Sequence, residues 1–143
     1  MEPFAGQKVN FPITYLGLPL TLGRLKVVHL QGIVDKARNK LAGWQGRLLN
    51  PAGRRELVRS VLSAIPIYML TSIKAPKQFL EELDKLRRCF LWAGDGEITG
   101  GKCKVGWPYV ARPVNFGGLS ILDIEKFSRG LGLHWLWLAW SNT

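Results

Sequence analysis

The chain has 143 residues, of which 47% are hydrophobic and 21% charged, and its formal net charge is +10. This length suits one domain of ordinary size, and the apolar share argues against disorder. No apolar run approaches the roughly 18 residues that a spanning helix needs, and the first residues lack a secretory signal pattern, so we expect neither a membrane protein nor an exported one.

Residues 1–23 are rich in proline and glycine, which excludes a long helix. Residues 13–16 have the β-branched and aromatic composition of a short strand. A single strand cannot satisfy its own backbone, so we expect it to pair with a partner that this chain does not contain.

From about Lys26 the apolar residues recur at helical spacing, and glycines at 43 and 46 mark the end of this first helix. A second helix is predicted to start at Pro51 with Asn50 as its cap, and Pro66 should kink or end it. The predicted apolar face of the first helix comprises Leu30, Val34, Ala37, Leu41 and Trp44. The predicted face of the second comprises Leu57, Val61, Ile65 and Tyr68, widened by Val58, Leu62 and Met69.

A third helix should follow Pro76, with acids early and Arg87 and Arg88 late, an order that complements the helix dipole. Its apolar stripe comprises Phe79, Leu83, Leu86 and Phe90. Residues 94–101 are predicted to form a loop without the lysine and hydroxyl residue of a phosphate loop. Asp123 should cap a last helix, and its terminal aromatic residues, 134–140, are expected to pack in the core rather than on a membrane. The fold class predicted is mainly α, a bundle of about four helices with a short β-like N-terminal lead-in.

Positive charge is concentrated between residues 36 and 59, where seven Lys or Arg face one acid, Glu56, for a local charge of +6. Clustered cations of this kind are typical of a protein that binds a polyanion, because each neutralised phosphate releases a counterion. A solvated basic face without a partner is the alternative.

Catalytic patterns are missing from the sequence. It has no adjacent Asp pair of the kind that two-metal polymerases use, and no recognisable nucleophile motif. Two cysteines, Cys89 and Cys103, and two histidines, His29 and His134, do not have zinc-site spacing, so no cofactor is expected in this chain, and Cys89 is interpreted as a small core residue.

Four segments in a fixed order resemble the region downstream of the palm in plant LINE-type (non-LTR retrotransposon) reverse transcriptases. They are YLGLPL at residues 15–20, KLAGWQGRLLNPAGRRELVRSVLSAIPIYML at 40–70, FLEELDKLRRCFLWAG at 79–94 and WPYVARPVNFGGLSILDIEKFSRG at 107–130. The resemblance covers about residues 11–140.

This resemblance implies three parts: the end of the polymerase palm (residues 1–23), a basic thumb-like helical segment (24–93) and a loop with a C-terminal helical connecting segment (94–143). It also implies an internal fragment, inactive alone, that lacks the catalytic Asp-Asp motif and the zinc-binding region that usually follows. The parent polymerase would use Mg²⁺. The expected partners are an RNA/DNA template-primer and the remainder of the polymerase polypeptide. The expected location is nuclear or cytoplasmic, and the resemblance implies the nucleus.

The predicted function is a non-catalytic segment that holds the template-primer backbone without sequence specificity. A stand-alone basic helix-turn-helix-like DNA-binding module and a non-functional structural remnant of a transposon are the alternatives. Trp44 is interpreted as a core anchor rather than a base-stacking platform, and Arg54 could instead pair in the neighbourhood of Glu56 or with a helix end. The candidate phosphate-contacting residues are Lys40, Arg47, Arg54, Arg55 and Arg59.

Overall fold

The computed structural model describes residues 10–11, 13–44, 46–94, 103 and 105–143. Within this part of the chain the protein is mainly helical with a short antiparallel hairpin near its start, which confirms the predicted fold class. The predicted loop at residues 94–101 lies outside the described residues except for Gly94.

The hairpin pairs β1 (Ile13–Tyr15) with β2 (Leu18–Leu20), in the register Ile13↔Leu20 and Tyr15↔Leu18. The expectation that β1 pairs with a strand outside this chain was therefore wrong. Leu16 and Gly17 both have positive φ, which matches the two-residue turn that follows the twist of a hairpin. The sequence signal was present in Gly17, which adopts this conformation without a side-chain clash.

Helix α1 (Val27–Gly43) buries the face that the spacing predicted: Leu30, Val34, Ala37 and Leu41. Trp44, which follows it, is half-buried, and its ring meets the Phe90 ring edge-to-face at 5.6 Å. This packing confirms Trp44 as a core anchor.

Helix α2 (Pro51–Leu57) begins at the predicted cap, where the Asn50 Oδ1 accepts a hydrogen bond from the Gly53 amide at 2.7 Å. It continues as one π-helical turn, Val58–Leu62, in which the Ser63 amide donates to the Val58 carbonyl. A turn through Pro66 then separates it from α3 (Ile67–Ser72), as the proline predicted.

The π turn changes which residues of this segment are buried. Val58, Leu62 and Met69, expected only to widen the apolar face, are at most 2% exposed. The predicted centre of that face, Leu57, Val61, Ile65 and Tyr68, is half-buried or exposed instead. The assumption of uniform α-helical spacing was the cause of this error.

Helix α4 (Lys77–Ala93) crosses the centre of the molecule and packs on α1, α2 and the last helix. Its predicted stripe, Phe79, Leu83, Leu86 and Phe90, is buried, and Gly94 ends the helix in the left-handed conformation. Cys89 is buried as predicted.

The C-terminal part contains a short helix α5 (Trp107–Val110), a 3₁₀ turn at Val114–Phe116 and helix α6 (Ile124–Ser141). Asp123 caps α6 as predicted, since its Oδ1 accepts from the Lys126 amide at 3.1 Å. The expected core packing of the terminal aromatics was wrong, because Trp135, Trp137 and Trp140 are 56%, 64% and 83% exposed.

Candidate nucleic-acid interface

The basic segment of residues 36–59 spans the second half of α1, a 3₁₀ turn at Gly46–Leu48, α2 and the start of the π turn. Gly46 sets the approach of this turn to α4, because a β-carbon at Gly46 would overlap the carbonyl oxygen of Gly94 and the ring of Phe90. Because neither Gly46 nor Gly94 has a β-carbon, their backbones can approach closely, and this contact fixes the turn against the C-terminal end of α4.

The exposed cations of this segment lie on α1, on the 3₁₀ turn and on the π turn: Lys36, Arg38, Lys40, Arg47 and Arg59. Arg38 forms an ion pair with Asp35 at 3.7 Å, but both side chains are more than half exposed, so the pair leaves the cation accessible to a ligand. These five exposed residues are together called the basic surface below.

Arg54 is half-buried and joins the start of α2 to the end of α4. Its Nε donates to the Gly46 carbonyl at 2.9 Å, and its Nη1 lies 3.4 Å from the Trp92 carbonyl oxygen. Carbonyls in the last turn of a helix lack an intrahelical donor and carry the negative end of the helix dipole, so they attract a guanidinium. The alternative that Arg54 binds a helix end is confirmed.

Arg55 is also half-buried, and its Nε donates to the Leu119 carbonyl at 2.9 Å. This bond ties α2 to the segment that precedes α6. The Nη1 of Arg55 and the Nη1 of Arg59 lie 3.3 and 3.7 Å from the same Glu56 oxygen. The two arginines therefore project on one side of the helix, as their four-residue spacing predicted, with a carboxylate between them.

The five predicted site residues thus separate into two groups. Lys40, Arg47 and Arg59 are exposed, whereas Arg54 and Arg55 hold α2 to distant backbone carbonyls. Sequence reasoning allowed a helix end as the partner of Arg54 but had no signal for the Gly46 and Leu119 carbonyls, because main-chain acceptors have no residue-specific pattern.

Arg87 is the polar residue that sequence reasoning missed. It is 1% exposed, and its Nη1 lies 2.6 Å from Asp84 Oδ1 while its Nη2 donates to Ser63 Oγ at 3.0 Å and to the Leu122 carbonyl at 2.5 Å. Its position three and four residues from the buried Phe90 and Leu83 places it on the core stripe of α4, which is the signal that could have found it. The dipole interpretation of this arginine was incomplete.

The environment of Arg87 disfavours both charges of the pair. Burial raises the pKa of the Asp84 carboxyl above its ordinary value, although the Arg87 charge acts in the opposite direction. Burial likewise lowers the pKa of Arg87, against the attraction of Asp84. The guanidinium also lies 5.3 Å from the centre of the Trp107 ring. This cluster joins α4, the turn after α2 and the approach to α6, and so it fixes the frame that carries the basic surface.

Among the residues that the structure describes, no three His, Cys, Asp or Glu side chains are grouped so that they could hold a metal ion. Across the same residues, none of the helices combines the length and apolarity needed to cross a bilayer.

Comparison with known proteins gives one relationship over most of the chain. Over 114 residues the sequence is 30% identical to the putative ribonuclease H protein At1g65750 of Arabidopsis thaliana. The matched part is 80% of this chain but 18% of the relative, so this chain corresponds to a small part of a much longer protein. No family profile matches the chain. No solved structure matches it either.

Proposed function

We propose that this chain is a non-catalytic, thumb-like segment of a retrotransposon RNA-directed DNA polymerase, and that it holds the template-primer backbone without sequence specificity. The similarity to a plant protein named as a putative ribonuclease H supports a role with nucleic acid. The order of the four sequence segments described above supports the polymerase assignment.

The observation that carries the proposal is the placement of charge on the basic surface. Five of the seven cations between residues 36 and 59 are exposed, and they lie on three elements that pack against α4. Phosphate contacts need no base-reading side chains, and a fixed array of Lys and Arg is sufficient for a sequence-independent grip.

Within this surface Lys40, Arg47 and Arg59 are the proposed phosphate contacts. Arg54 and Arg55 are proposed to position these residues rather than to bind phosphate. Their bonds to the Gly46 and Leu119 carbonyls fix the turn that carries Arg47 and the helical segment that carries Arg59. The chemistry would reside in the remainder of the polymerase polypeptide, with its Mg²⁺, because this sequence has no adjacent Asp pair. A nuclear location follows from the proposed role.

The test is binding of the full chain to unrelated DNA duplexes and RNA–DNA hybrids over a range of salt concentrations. Three phosphate contacts predict a slope of log affinity against log salt of about −2.7, at roughly 0.9 per contact. Lys40→Gln, Arg47→Gln and Arg59→Gln should each reduce the slope by about one contact. Lys85→Gln, which removes an exposed cation of α4 outside the basic surface, is the matched control.

Unchanged slopes in all three variants would remove the basic surface from the site. A clear preference for one duplex sequence would favour the helix-turn-helix-like module instead, although residues 44–50 make a longer connection than the three or four residues usual in that motif. Absence of any salt-sensitive binding would favour a structural remnant. Glu56→Gln offers an opposite test, because removal of the carboxylate between Arg55 and Arg59 should strengthen binding.

A further inference from the structure

A groove of about 980 Å³ lies between α6 and the connection from α3 to α4, with Arg24 and Leu25 at one side. It is called the α6 groove below. It meets the first turn of α4, whereas Arg54 of the basic segment reaches the last turn of the same helix. The 17 residues of α4 span about 25 Å at 1.5 Å per residue, so the groove and the bond of Arg54 lie at opposite ends of this helix.

Apolar and polar side chains both line the α6 groove, and part of its apolar lining is open to water. Leu133 and Leu136 are 67% and 68% exposed, although both lie on a helix that is otherwise anchored to the body of the protein. Trp135 is fixed beside them, because its Nε1 donates to the Thr71 carbonyl at 2.9 Å. The apolar lining residues that matter here are Leu25, Leu70, Leu80, Leu133, Trp135 and Leu136. An exposed apolar area on a helix that is fixed to the rest of the protein is typical of an interaction surface.

Positive charge surrounds this apolar lining. Four cations, Arg24, Lys74, Lys77 and Arg129, contribute to the groove against one acid, Glu125, for a difference of +3. Lys77 and Arg129 form exposed ion pairs with Glu81 and Glu125, at 3.8 and 2.6 Å. Such exposed pairs are weak, so a partner's carboxylates can compete for these cations.

The first turn of α4 adds to this positive potential. Its cap residue, Pro76, lines the groove and provides no side-chain hydrogen bond to the helix amides. The partial positive charge of this helix end is therefore not compensated by a capping side chain, and it favours a negative group in the groove.

We propose that the α6 groove binds an acidic amphipathic helix of a partner protein. Apolar side chains spaced as on one helix face would occupy the leucine-rich lining, and flanking Asp or Glu would meet the surrounding cations. Single-stranded nucleic acid fits the groove less well, because bases need exposed aromatic faces and Trp135 is the one aromatic residue among the described lining residues. The proposal does not depend on the function proposed for the basic surface.

The test is selection of binders from a displayed library of 16-residue helical peptides, with the full chain as target. The expected binders combine leucine, isoleucine or phenylalanine at helical spacing with an excess of Asp and Glu. Leu136→Asp and the double variant Lys74→Glu/Lys77→Glu should each weaken a selected peptide by about tenfold or more. Lys85→Glu, an exposed charge reversal on α4 outside the groove, should leave the affinity within about twofold.

Several outcomes would overturn the proposal. One is a selection that yields no binder, or binders without acidic enrichment, and another is a peptide whose affinity the groove variants do not change. Binding of a 20-nucleotide oligothymidine that Lys74→Glu/Lys77→Glu abolishes would assign the groove to nucleic acid instead. Sedimentation velocity tests whether a second copy of the chain occupies the α6 groove. A dimer that Leu136→Asp converts to monomer would assign the groove to self-association.

Discussion

Replacement of Arg87 by methionine should destabilise the fold by about 3–5 kcal/mol, the usual cost of removing one partner of a buried ion pair. The guanidinium is 1% exposed and bonds to Asp84, to Ser63 and to the Leu122 carbonyl. Each charge-assisted bond contributes about 1.5–3 kcal/mol, and the three do not add because they share one group. Methionine keeps the aliphatic stem of the side chain but ends before the guanidinium, so a small cavity adds to the loss of the polar contacts.

Urea unfolding followed by tryptophan fluorescence and by circular dichroism measures this loss. Arg88→Met is the matched control, because Arg88 is the next residue on α4 and its guanidinium lies 5.7 Å from the same Trp107 ring. It should cost no more than about 0.5–2 kcal/mol, the range of a cation–π contact. A double variant, Asp84→Leu/Arg87→Met, should recover part of the stability, since it leaves no unpaired buried carboxylate.

Equal losses in Arg87→Met and Arg88→Met would refute this reasoning, because they would show that the hydrogen bonds and the ion pair of Arg87 contribute nothing beyond ring contact. A double variant less stable than Arg87→Met alone would show that the cost does not arise from an unpaired Asp84.

Two further predictions concern pH and close packing. Because burial raises the folded-state pKa of Asp84, its contribution to stability is fully present below the unfolded pKa of about 4 and is lost as the pH rises through the folded value. The advantage of the wild type over Asp84→Asn in free energy of unfolding should therefore shrink as the pH rises from about 4 towards neutral. Urea midpoints of the two proteins that move apart over this range would contradict the raised pKa of Asp84. Gly46→Ala should cost about 1–3 kcal/mol in urea unfolding because its β-carbon would overlap the Gly94 backbone, whereas Gly43→Ala, with open space around it, should be neutral or stabilising.

Local features of the fold were predictable from the sequence because they depend on neighbours along the chain. The caps at Asn50 and Asp123 need only an acceptor within three residues, and both lie where the sequence placed them. The buried faces of α1 and α4 follow from regular helical spacing, which each sequence segment displays by itself. The hairpin turn at Gly17 was within reach of the same reasoning but was missed.

The candidate site was predictable as a cluster of charge but not as an arrangement of contacts. The concentration of cations between residues 36 and 59 is visible in the sequence, and the exposure of Lys40, Arg47 and Arg59 agrees with it. Arg54 and Arg55 carry the same charge, yet Arg54 bonds to carbonyls 8 and 38 residues away along the chain and Arg55 to one 64 residues away. A carbonyl oxygen has no residue-specific signal, so nothing in the sequence marks it as the partner.

The sequence by itself thus determined the buried faces of α1 and α4, the caps at Asn50 and Asp123 and the net charge of the basic segment, because these properties arise from residues within a few positions of one another. Tertiary structure alone decided which positions are buried after the π turn at Val58–Leu62, and it placed Arg87 inside the core. It also left Leu133, Leu136 and the three tryptophans of α6 exposed to water. Each of these outcomes depends on which distant segments pack against α4, and the order of residues along the chain does not specify those contacts.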